Sequence, residues 1–89
     1  MPGQLTDLQK ELLRLAEHND GAIHVLRMRE RGDYVRVGDR DYYDSPEQQT
    51  DALNAVGKLR DDGLLTFEEG PVHRLTERGH EVARELMES

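Results

Sequence analysis

Apolar residues recur at helical spacing near the amino terminus: Leu8, Leu12, Leu15 and Ala16 share one face, while Arg14 and Glu17 fall on the other. This predicts an amphipathic helix over about residues 6–18. Thr6 followed three positions later by Gln9 is a capping-box signature, and His18-Asn19-Asp20-Gly21 ends the segment. The pattern then changes. Ala22 to Met28 is short, apolar and β-branched, which predicts a strand. Arg31-Gly32-Asp33 supplies a turn into a second strand, Tyr34 to Val37, and Gly38-Asp39 leads into a third at Arg40 to Tyr43.

Helical spacing returns with sharp boundaries at 46–62. Ser45 is the N-cap, Pro46 takes the first helical position and Gln48 is placed to complete a capping box. Ala52, Leu53, Val56 and Leu59 form the inward stripe, and Gly63 with Leu64 predicts a Schellman ending. Leu64 to Phe67 and Val72 to Leu75 flank Glu68-Glu69-Gly70-Pro71 as a hairpin. Thr76 caps a last helix whose apolar face carries Val82, Ala83, Leu86 and Met87. Gly57 and Gly79 fall within or early in helices, where each costs about 1 kcal/mol relative to alanine. Close packing at Gly57 would account for that cost.

The resulting expectation is one α+β domain over 1–89, in the order α-β-β-(β)-α-β-β-α, with three helices and a small antiparallel sheet. A chain of 89 residues leaves no room for a second independent core. No apolar run approaches the roughly 20 residues that span a bilayer, and Met1-Pro2-Gly3-Gln4 lacks the charged and apolar parts of a leader, so a cytoplasmic protein is expected. The absence of cysteine excludes disulfides, a thiol nucleophile and thiolate metal ligands.

The residues from Ala52 to Met87 resemble the second half of winged-helix proteins, among them many bacterial transcription regulators. The likeness rests on a helix ending at Asp62-Gly63, on Leu64-Leu65 opening the wing, and on Leu75-Thr76-Glu77-Arg78-Gly79 leading into the last helix. It implies a winged-helix-like fold, with the helix at 46–62 in the place that enters the DNA major groove in regulators. It also implies a capacity to dimerise through terminal helices. Regulators carry a further helix before that one, whereas Ala22 to Tyr43 reads as strands.

Charge bears on the choice of partner. The chain carries 19 acidic and 12 basic residues, a formal charge of −7, and a field of that sign repels nucleic acid. Residues 46–62 hold Lys58 and Arg60 against Glu47, Asp51, Asp61 and Asp62, the wrong balance for approaching phosphates. Basic residues concentrate instead around the first hairpin: Arg27, Arg29, Arg31, Arg36 and Arg40, interleaved with Tyr34, Tyr42 and Tyr43. Arginine and tyrosine offer large contact area with polar tips, which makes these eight residues the candidate binding surface. Exposed ion pairing with Glu30, Asp33, Asp39 and Asp41 is the other account of the same arginines.

No nucleophile and base pair, glycine-rich phosphate loop or metal-ligand spacing is present; His18, His24, His73 and His80 show no i, i+4 pair. The expectation is a non-catalytic interaction module without catalytic, cofactor or metal residues, which binds another protein through the Arg and Tyr hairpin or through the acidic helix 46–62, as a monomer or weak homodimer. The alternative is a DNA-binding, transcription-regulator-like domain that uses the basic hairpin 27–40.

Overall fold

The structure is a computed structural model that describes residues 5–88; the amino-terminal segment 1–4 and Ser89 lie outside the described residues. The first helix, α1, runs Asp7–Glu17, with Thr6 as its N-cap. The Gln9 N–H donates to the Thr6 hydroxyl at 3.1 Å, and the Thr6 N–H donates to the Gln9 side-chain oxygen at 2.8 Å. Two orphan donors of the helix end are thus satisfied reciprocally. Three strands follow, β1 (Ala22–Met28), β2 (Gly32–Val37) and β3 (Arg40–Tyr42), before α2 (Pro46–Asp61).

Ser45 caps α2 through its hydroxyl, which accepts from the Gln48 N–H at 3.0 Å. The Gln48 side chain does not close the expected box at Ser45. It reaches one residue further back and accepts from the Asp44 N–H at 2.7 Å, so the turn into the helix is tied at two residues. At the other end Gly63 has φ +77°, its N–H donates to the Arg60 carbonyl, and the Leu64 N–H donates to the Leu59 carbonyl. This is the expected Schellman ending. Strands β4 (Leu65–Glu69) and β5 (Val72–Leu75) and helix α3 (Glu77–Glu88) complete the chain.

The fold is α+β, with three helices and one five-stranded antiparallel sheet in the order β3-β2-β1-β5-β4. Strand β1 lies at the centre because it pairs on one side with its hairpin partner β2 and on the other with β5, with Ile23 opposite His73. Alternation along the strands gives the sheet two unlike faces. Ile23, Val35, Val37, Tyr42, Leu65 and Leu75 are buried on one of them. Leu12, Leu13 and Ala16 of α1 and Ala52, Ala55, Val56 and Leu59 of α2 join these strand residues in one hydrophobic cluster. Helix α3 packs on α1 and β5 and contributes Ala83 to the core.

The core is narrower than the expected stripes, with Leu53 of α2 and Val82 and Leu86 of α3 only partly buried. In α1 the fully covered residues are Gln9, Leu12, Leu13 and Ala16, while Leu8 and Leu15 lie at its margin. In α3 Met87 is exposed rather than buried. Gly57 has open space around it. The close approach occurs instead at Gly79, where an added Cβ would lie 2.0 Å from the Leu64 carbonyl oxygen. Among the described residues no helix is long and apolar enough to cross a membrane.

Candidate binding surfaces

The hairpin arginines are held by the chain's own acids. Arg27 and Asp33 face each other in register across β1 and β2, and Nε lies 3.3 Å from the carboxylate. Arg36 and Asp41 are opposed in the same way across β2 and β3 at 3.5 Å, and Arg36 Nε also donates to the Gly38 carbonyl at 3.1 Å. Arg40 pairs with Glu11 of α1 at 3.1 Å, with its guanidinium carbon 4.9 Å from the centre of the Tyr42 ring. Arg31 donates to the Tyr43 carbonyl at 3.2 Å. Among the described residues only Arg29 of these five has no partner. Asp33 and Asp41 were foreseeable counterions; Glu11 was not, since it arrives from another element.

The three tyrosines separate. Tyr42 is 1% exposed and belongs to the core, so it is unavailable to a partner. Its hydroxyl donates to Glu11 at 2.5 Å, and burial first, then this bond, pushes its pKa up to about 12. Tyr34 and Tyr43 stand together on the opposite face of the sheet, with ring centres 5.0 Å apart. The same face carries Ala22, His24, Leu26, Val72 and Arg74, around a shallow depression of about 520 Å³. Its members from β5 escape sequence reading because only the β1–β5 pairing brings them beside the first hairpin.

Helix α2 presents a different surface. Glu47, Thr50, Asp51, Asn54 and Asp61 are exposed, as are Lys58 and Arg60. Arg60 turns toward the sheet, where it lies 3.4 Å from Nε2 of His73. His73 is buried beside this cation and edge-on to Phe67, and burial first, then Arg60, lowers its pKa. The exposed charge of α2 is therefore three carboxylates, Glu47, Asp51 and Asp61, against Lys58 and Arg60, with Arg60 on the side nearest the sheet. A groove of about 530 Å³ runs between α2 and the start of α1, lined by Thr6, Leu8, Asp51, Asn54, Ala55 and Lys58. The β4–β5 tip adds the exposed Glu68 and Glu69, with Glu68 in contact with Arg74.

Among the described residues no group of three histidine, aspartate or glutamate side chains is placed to hold a metal ion. Comparison of the chain with protein-family models, curated proteins and solved structures returns no match.

Proposed function

We propose that this chain is a non-catalytic, winged-helix-like interaction module that binds another protein, with the outer face of α2 as the docking surface. The outward display of Glu47, Asp51 and Asp61 carries the reading: the helix that the winged-helix resemblance would place against DNA offers carboxylates to its partner. Those charges fit a basic protein surface, and complementary charge contributes association rate and discrimination against wrong partners. The groove beside Leu8 and Ala55 adds apolar contact next to the acids.

DNA binding through residues 27–40 is disfavoured by the same reasoning. Arg27, Arg36 and Arg40 would have to exchange Asp33, Asp41 and Glu11 for phosphate, within a field set by seven excess negative charges.

The test is retention of partner proteins from nuclease-treated lysate of the cells that make the chain, by the wild type and by the double variant Asp51→Lys, Asp61→Lys. The expected result is a basic protein held by the wild type and lost by the variant. Equal retention by both forms, or retention of nothing, overturns the proposal.

A further inference from the structure

The groove between α2 and the start of α1 has two unlike walls. On the α1 side the Thr6 hydroxyl and the Gln9 side-chain oxygen are engaged in the capping box, so that wall offers mainly Leu8, and none of its lining residues is charged. On the α2 side the buried Ala55 meets the groove among the exposed Asp51, Asn54 and Lys58. A second depression, of about 330 Å³ and lined by Pro46, Glu47, Thr50 and Asp51, shares Asp51 with the first and extends it to the start of α2.

Charges along this channel are ordered. Glu47 and Asp51 stand one turn apart at one end, a like-charge spacing that weakens a helix, and Lys58 stands two turns on at the other. Among the described residues none of these three has an ion pair within the chain. Asp61 comes one turn later and lies outside the lining.

We propose that the groove seats an amphipathic helix of the partner, antiparallel to α2. Its acid faces Lys58, its apolar side chain enters between Leu8 and Ala55, and its basic side chains face Asp51 and Glu47. The inference rests on the reading of α2 as the docking surface and adds the form, direction and charge order of what docks there.

The form follows from backbone hydrogen bonding. Both walls are helices, so an extended segment would find no strand edge, and no row of main-chain partners, to pair with. A helix satisfies its own backbone and presents side chains at i, i+4, i+7 and i+11. That is the spacing of Lys58, Asn54, Asp51 and Glu47 read backwards along α2.

The direction follows from charge. An acid early in a helix and arginines late in it suit the helix's own dipole, and in the antiparallel arrangement they fall opposite Lys58 and the two carboxylates. A uniformly basic segment would meet Lys58 at the far end, which disfavours it as the occupant.

An NMR titration of the full chain with a synthetic peptide tests this. The probe is an alanine-rich helix of about 16 residues, roughly 24 Å long, confirmed helical by circular dichroism. It carries glutamate, leucine, arginine and arginine at i, i+4, i+7 and i+11. The expected result is saturable binding with a dissociation constant of about 200 µM, in which the amide signals of Leu8, Asp51, Asn54 and Ala55 move and those of His24 and Leu26 do not. Replacing the peptide's leucine by glutamine weakens binding at least about tenfold. Asp51→Lys weakens it at least about fivefold, and changing the peptide's first arginine to glutamate restores it. Absence of saturable binding overturns the proposal. So does equal binding of the leucine and glutamine peptides, or a paired charge reversal that restores nothing. Each of these outcomes leaves the capture of a basic protein by α2, read separately from lysate, standing.

Discussion

At Gly79 the backbone of α3 passes directly against the segment leading into β4. Any side chain there meets the Leu64 carbonyl oxygen, a backbone atom that cannot swing aside. Gly79→Ala is therefore expected to cost at least about 2 kcal/mol, in the range of overpacked cores. Gly57→Ala, with nothing within reach of the new methyl group, is expected to stabilise by about 0.5–1 kcal/mol through helix propensity alone. Urea denaturation of the two variants reads both effects, and equal values would remove the distinction. His73 supplies a pH-dependent counterpart. Because its pKa is lowered in the fold, the unfolded chain binds more protons than the native one once pH drops below the ordinary histidine value of about 6.5. Its contribution is complete above that value and is lost as pH falls toward the lowered native pKa. His73→Leu should accordingly lose less stability than the wild type between about pH 7.5 and 5.5, measured as urea midpoints. A wild type and variant that fall equally would contradict this.

At the scale of elements, the ends of helices were legible because their chemistry is local. Thr6 with Gln9, Ser45 with Pro46, and Gly63 with Leu64 each specify a cap within a few residues, and the structure forms all three. Thr76 does more than the sequence indicates. Its hydroxyl accepts from the Gly79 N–H at 3.0 Å and also donates to the Gly63 carbonyl at 2.6 Å, joining the start of α3 to the end of α2. Thr76→Ala is expected to lower stability by about 1–2 kcal/mol, the upper part of the range for a lost N-cap. A thermal or urea midpoint that does not move would show that the second bond contributes nothing. The inward faces were less legible. Helical spacing marks a stripe but not its centre, and with α1 packed between α3, α2 and the sheet, Leu13 and Gln9 are covered while Leu8 and Leu15 lie at the margin.

For the whole molecule, the part hidden from sequence reading is what distant segments do to one another. Nothing near Ala22 indicates that β5, some fifty residues later, completes the sheet beside it. That pairing creates the uncovered face with Tyr34, Leu26 and Val72. The candidate surface was legible only in part for the same reason: Arg27 with Asp33 and Arg36 with Asp41 lie close in sequence, but the counterion of Arg40 and the hydrogen-bond partner of the buried Tyr42 are both Glu11 from α1. The net result is a fold whose arginines are mostly engaged and whose outward helix is acidic.

The most direct measurement of that account is fluorescence anisotropy of a labelled DNA duplex titrated with the chain at low salt. Even at about 50 mM salt, where phosphate attraction is strong, the account predicts no saturable binding. Binding that falls steeply as salt rises, and that Arg29→Ala or Arg36→Ala weakens, would contradict it.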